Sequence, residues 1–242
     1  MKRIIGVLCW LLAGGCSAAT DGVDVTDLQA HLMAEIERDT RETAGYTGRS
    51  TLAAGVRDAM ATVARHDFVD SYGPDAAYAN RPLPIGHGQT ISQPFIVALM
   101  TDLLDPDAAH IVLEIGTGSG YQAAVLATLV KHVYTIEIIP ELAKSAERRL
   151  AKLGYENVSV KAGDGYFGWP EAAPFDGIIV TAVGPDIPAS LVDQLKTGAR
   201  MVLPVGTQHT AQNLTVVTKQ ADGGYTTEEV LPVAFVPLTG DH

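Results

Sequence analysis

Ile111-Val112-Leu113-Glu114-Ile115-Gly116-Thr117-Gly118-Ser119-Gly120-Tyr121 decides how the rest of the chain is read. Ile111 to Ile115 is short enough for a strand and apolar enough to be covered on both faces. Three glycines at alternate positions follow, and a helical stretch runs from Tyr121 to Val130. Strand, glycine turn and helix in that order put the loop outside the carboxyl end of a strand, where open α/β sheets take ligands. Glycines there let backbone amides approach a ligand with no Cβ in the way. The spacing is GxGxG. A dinucleotide loop reads GxGxxG and would set Gly or Ala at 121, so Tyr121 disfavours a nicotinamide-dependent oxidoreductase.

Downstream, the same rhythm repeats. Strands are expected at Val133–Glu137, Val158–Ala162, Phe175–Ala182 and Ala199–Pro204, with helices at Pro140–Leu153 and Pro188–Leu195. Asn213–Lys219 and Val230–Val236 read as later strands flanking a Gly223-Gly224 turn. Alternating units of this length predict an α/β fold with a doubly wound, mostly parallel sheet and antiparallel additions at its C-terminal edge.

Upstream, Phe95–Leu104 reads as a helix opened by Ser92-Gln93-Pro94, with Ser92 in the capping position. Asp70 to Ile91 is rich in Gly and Pro and too long for a simple connector, which marks it as functional. Helices are expected at Thr51–Val63 and at Thr26–Glu37, the latter capped by Thr26, while residues 38–50 show no period.

Acidic residues recur at the strand ends. Glu137 closes the second strand about 20 residues beyond the loop, where a carboxylate can accept both hydroxyls of a ribose. Asp164 follows the third strand, where it can receive an adenine amino group. No Lys or Arg lies in the loop. Carboxylates at successive strand ends suit a cationic, phosphate-free nucleoside such as S-adenosylmethionine and suit a polyphosphate poorly. Each could instead simply cap a turn.

Composition agrees with one large domain: 242 residues, 47% hydrophobic, 19% charged. Seventeen basic against 28 acidic residues give a net charge of −11, the wrong sign for tracking nucleic acid. Seven histidines without an HExxH pattern or paired cysteines give no metal site. Met1-Lys2-Arg3, an apolar run from Ile4 to Ala13 and small residues through Ala19 make an export signal. Cys16 follows Leu-Ala-Gly-Gly, similar to a lipoprotein cleavage box with Ala13 where Leu is usual, and the alternative is cleavage after Ala19. The expected organisation is a signal segment at 1–19, a tether and N-terminal helix at 20–50, and one domain at 51–242.

Arg81-Pro82-Leu83-Pro84-Ile85-Gly86-His87-Gly88-Gln89-Thr90-Ile91-Ser92-Gln93-Pro94 is the more specific stretch. Together with Leu113 to Gln122, Ala173 to Asp176, Leu203 to Gly206 and Phe235 to Thr239, it closely resembles the protein-L-isoaspartate O-methyltransferase family. The resemblance covers roughly residues 50–240, with Phe95 and Val183 standing where Tyr and Ala are expected. It implies a Rossmann-like, class I S-adenosylmethionine-dependent methyltransferase fold. It also implies methyl transfer to the α-carboxylate of isoaspartyl residues in damaged proteins, which starts their repair through a succinimide. Ser92 is then the catalytic residue. Thr90, Glu114, Gly116, Thr117, Gly118, Ser119, Glu137, Asp164, Gly165 and Thr239 fall to the cofactor, and Ile91, Ser92, Val236 and Leu238 to the substrate. The partners expected are isoaspartyl proteins and peptides, with no nucleic acid, membrane contact only through a lipid at Cys16, and a monomeric state. An exported address departs from the family's usual cytoplasmic one. The rivals are a methyltransferase of the same fold with another carboxylate substrate, and a non-catalytic exported binding protein.

Overall fold

The computed structural model describes residues 24–207 and 210–240; the expected signal segment, Cys16 included, lies outside the described residues. The N-terminal third is helical: α1 (Val25–Glu42), α2 (Ala44–Thr47), α3 (Ala54–Thr62) and α4 (Pro74–Ala77) lead to a hairpin of β1 (Leu83–Gly86) and β2 (Gln89–Ile91), then to α5 (Pro94–Leu104). From there strands and helices alternate as β3 (Ile111–Ile115), α6 (Tyr121–Ala127), β4 (His132–Glu137), α7 (Pro140–Lys152), β5 (Val158–Ala162), β6 (Phe175–Val180), α8 (Ala189–Asp193) and β7 (Leu195–Val205). Two antiparallel strands, β8 (Gln212–Lys219) and β9 (Tyr225–Val233), complete the sheet. Its order is β5-β4-β3-β6-β7-β8-β9, with β3 to β7 parallel. The chain reverses direction across the sheet beside β3, so the glycine loop leaves β3 at the switch point.

Several stretches differ from the expectations, among them β7, which begins at Leu195, where the expected helix ends, and not at Ala199. Helix α1 begins under Asp24, whose carboxylate accepts the Thr26 N–H at 2.8 Å, and it continues five residues past Glu37. Charged Arg38, Asp39, Arg41 and Glu42 mask its period, but Leu32, Ile36 and Thr40 keep a buried stripe at every fourth position. Thr40 fits that stripe because its hydroxyl donates to the Ile36 carbonyl at 2.8 Å. Leu32 and Ile36 are fully buried in one cluster with Val56, Met60 and Leu99. Val25, Leu28 and Met33 pack against the same cluster, so α1 belongs to the domain's core.

The stretch 70–91 is a hairpin preceded by a helical turn instead of an irregular loop. His87 and Gly88 both have positive φ, +53° and +74°, as the central residues of a type I′ hairpin must. At the other end, β9 starts earlier than expected, through exposed Tyr225-Thr226-Thr227-Glu228-Glu229; an edge strand with so little burial carries no alternation to read. After Val233 the tail folds back over the sheet, where Val183 donates to the Val236 carbonyl and Leu238 to the Val183 carbonyl, both at 2.8 Å. Among the described residues no helix is long and apolar enough to cross a membrane.

Candidate active site

The glycine loop hangs from three strands. The Gly116 and Thr117 amides donate to the Ile136 carbonyl of β4 at 2.8 and 3.3 Å. From the end of β6, the Thr181 hydroxyl is shared between the carbonyls of Ile115 and Gly116 at 3.0 and 2.9 Å. Gly116 sits at φ +95°, and a Cβ there would collide with Thr181 Oγ1, so no other residue fits. Glu137 closes the cradle: Oε2 accepts the Gly118 N–H at 2.8 Å and Oε1 the Ile139 N–H at 3.0 Å. Each oxygen keeps a further lone pair for a ligand.

A cavity of about 630 Å³ opens over this loop. Thr90 and Ile91 enter it from β2, followed by Ser92. Gly116, Thr117, Gly118 and Ser119 form its floor, Glu137, Ile138 and Gly165 one wall, and Val236, Leu238 and Thr239 of the tail its cover. Asp39, Glu42 and Thr43 of the N-terminal helical region also line it, as do Leu231 to Phe235. The charged groups lining it are Asp39, Glu42 and Glu137, with no Lys, Arg or His among the described residues. Sequence reading missed the α1 carboxylates, whose signal was the masked helical stripe, and Ile138, an exposed apolar side chain directly after Glu137.

Two expected site residues, Glu114 and Asp164, are not among the cavity's lining. Glu114 lies beneath the loop, fully buried, and does not line the cavity. Thr135 donates to its Oε2 at 2.5 Å and is itself 2.6 Å from the Thr117 hydroxyl, while Oε1 has no partner among the described residues. Burial pushes its carboxyl up to about 8; the bond from Thr135 opposes the shift and nearby Glu137 adds to it. Asp164 caps the 3₁₀ turn Gly165–Phe167 by accepting the Tyr166 N–H at 2.9 Å, and Gly165 is the cavity residue at that strand end. Ser92 is not the helix cap, because α5 begins at Pro94 with Gln93 as N-cap. Its half-buried hydroxyl therefore has no partner among the described residues and is available to a ligand. Just after the Gly165–Phe167 turn, Trp169 packs edge-on to Tyr134, their ring centroids 4.9 Å apart.

Tyr121 turns into the core, 1% exposed, against Phe68 at 5.5 Å and beneath the Arg65 guanidinium at 5.0 Å. Arg65 is fully buried and ties the approach to the hairpin by donating to the Ala77 carbonyl at 2.9 Å and the Arg81 carbonyl at 3.4 Å. Burial lowers the Arg65 guanidinium to about 10 and raises the Tyr121 phenol to about 12. The bulky residue after the loop is thus used for packing, where a dinucleotide fold would place a small one.

The model of the protein-L-isoaspartate(D-aspartate) O-methyltransferase family matches residues 45–242. A protein-L-isoaspartate O-methyltransferase 2 of Syntrophobacter fumaroxidans is 52% identical over 239 residues, 99% of this chain and 96% of that protein. Its namesake in Polaromonas sp. is 57% identical over 209 residues, 86% of this chain and 99% of that protein. A solved protein-L-isoaspartate O-methyltransferase superposes with a TM-score of 0.76 at 27% identity, covering 88% of this chain and 66% of that one. A Plasmodium falciparum structure, titled as a putative member in complex with S-adenosyl-L-homocysteine, shares the fold with a TM-score of 0.71 at 22% identity, covering 87% of this chain and 98% of that one. The chain belongs to the protein-L-isoaspartate(D-aspartate) O-methyltransferase family.

Glu114 makes the fold sensitive to pH in a defined direction. Its folded value, about 8, lies above the ordinary 4.5, so the folded chain holds a proton that the unfolded chain gives up in that interval. Stability contributed this way is complete below the ordinary value and lost as pH rises through about 8. Glu114→Gln is expected to flatten the fall of melting temperature across that range in scanning calorimetry; parallel slopes for the two proteins would contradict it.

Proposed function

We infer that this chain transfers a methyl group from S-adenosylmethionine to the α-carboxylate of L-isoaspartyl residues in damaged proteins, initiating their repair through a succinimide. Beyond family membership, the observation that carries this reading is the charge of the cavity. Its only charged lining groups among the described residues are carboxylates, Asp39 and Glu42 of α1 and Glu137 at the end of β4, around the backbone of the glycine loop. Such a wall repels a polyphosphate and favours a cationic nucleoside.

The residues present fit that cofactor. Glu137, held by two backbone amides, can accept the two ribose hydroxyls with its remaining lone pairs. Ile138 offers an apolar surface for the base, and the backbone from Gly116 to Ser119 lies open to the remainder of the molecule. Asp164, at the neighbouring strand end, is the residue assigned to the adenine amino group. Bound there, S-adenosylmethionine supplies a methyl group activated by a sulfonium.

The substrate needs little chemical help. A carboxylate is ionised at neutral pH and is already a nucleophile, so no general base is required. What the chain supplies is alignment and exclusion of water. Ser92 donates its hydroxyl proton to one carboxylate oxygen and leaves the other free to attack. Ile91 and the tail residues Val236 and Leu238 close apolar surface around the group. The same hydroxyl would serve any carboxylate, so the choice of the isoaspartyl one rests on the family match.

We further propose that the chain is exported and anchored through a lipid on Cys16. The basic start, the apolar run and the small residues ahead of Cys16 support this. Cells fed a labelled fatty acid should label the wild type and not Cys16→Ser; equal labelling, or recovery of the unlabelled wild type in the cytosol, would refute the address.

Tritiated methyl transfer to an isoaspartyl peptide, run beside its aspartyl twin, tests the activity: incorporation should be confined to the isoaspartyl form. Ser92→Ala should lower the rate about 10- to 100-fold, the worth of one hydrogen bond to a charged group, with cofactor affinity kept. Equal labelling of both peptides would overturn the substrate assignment, and an unchanged rate would remove Ser92 from the mechanism.

A further inference from the structure

Helix α5 begins on Pro94, and its N-cap residue, Gln93, contributes no side-chain bond. The first amides of a helix need acceptors from outside its own ladder, and proline has no N–H, so Phe95 carries the first one. Its acceptor is remote in sequence: Asn80 Oδ1, 3.0 Å away. Asn80 in turn donates through Nδ2 to Asp39 Oδ2 at 2.7 Å. Asp39 lies in the last turn of α1, and both Asp39 and Phe95 line the cavity that Ser92 enters.

We propose that Asn80 and Asp39 are positioning residues for Ser92, forming an amide bridge that fixes the start of α5 against α1. This rests on the reading of Ser92 as the donor to the substrate carboxylate. The residue types follow from the task. A side-chain amide can accept from a backbone N–H at one end and donate to a carboxylate at the other. The usual arrangement would place a Ser, Thr, Asp or Asn at the cap itself and spend its oxygen on the helix. Here the capping is done from Asn80, and the Ser92 hydroxyl stays uncommitted. Asp39 precedes residue 45, where the family model begins, so the bridge brings a helix outside that matched segment to bear on the active centre.

Exchanging the two ends of the bridge tests it. Asn80→Asp keeps an acceptor for Phe95 but sets a second carboxylate against Asp39. It should lower kcat for the isoaspartyl peptide about 10- to 100-fold, the cost of a slightly misplaced catalytic group, with the dissociation constant for S-adenosylmethionine unchanged. Adding Asp39→Asn restores a donor facing an acceptor and should recover most of the loss. Wild-type kcat in Asn80→Asp, or a double variant no better than that single one, overturns the proposal. Should Asn80→Asp not fold, Asp39→Ala takes its place, with lowered kcat expected and unaltered kcat overturning. Amide exchange followed by NMR reads the bridge without catalysis: Asn80→Ala should speed exchange at Phe95 by about tenfold or more, and unchanged exchange also overturns it. If the wild type transfers no methyl group to the peptide, the enzyme reading fails while the exchange result still decides the bridge.

Discussion

Glu137 and the Gly118 amide, 2.8 Å apart, form the contact on which the site depends. A carboxylate 5% exposed must be satisfied within the fold, and here two backbone N–H groups satisfy it. Charge-assisted bonds of this kind are the stronger ones, so the end of β4 and the loop after β3 are set relative to each other before any ligand arrives. Thr181 fixes the other end of the loop, and Gly116 leaves it no alternative course. A loop so constrained loses little freedom on binding, which favours affinity.

The chemistry assigned to the cavity is modest, and the architecture reflects that. The residues proposed for the cofactor stand at the carboxyl ends of parallel strands. Those proposed for the substrate come from β2, from the entry to α5 and from the tail, elements added outside the parallel core. Arg65 ties the approach to the hairpin to Tyr121, and Asn80 ties α5 to α1. Precision on the substrate side therefore comes from side chains that bridge elements distant in sequence, because no sheet supplies it.

The parallel core was legible because its signals are local. Short apolar runs, a GxGxG turn and an acidic residue closing the next strand need only neighbouring residues to be recognised. Val158–Ala162 was read with its ends in place, and Glu137 was read as a cavity carboxylate. What escaped depends on partners far along the chain. Asn80 caps a helix fifteen positions later, and nothing near Gln93 announces it. Glu114 belongs to the motif but points beneath it, toward Thr135, a distinction that spacing does not encode. Asp164 caps its own turn, a role that spacing does not reveal and that is compatible with the proposed ligand contact. In the last turns of α1 charged residues crowd out apolar ones, and the stripe continues there because Thr40 hides its hydroxyl against the preceding turn.

Ligand discrimination tests the central claim most directly. Calorimetric titration of the chain with S-adenosylmethionine and, separately, with NAD compares a cationic nucleoside with an anionic dinucleotide in the same carboxylate-lined cavity. Saturable binding of S-adenosylmethionine at least about 100-fold tighter than NAD is the predicted result, since an unpaired buried anion costs several kcal/mol. Equal or tighter binding of NAD would contradict the account.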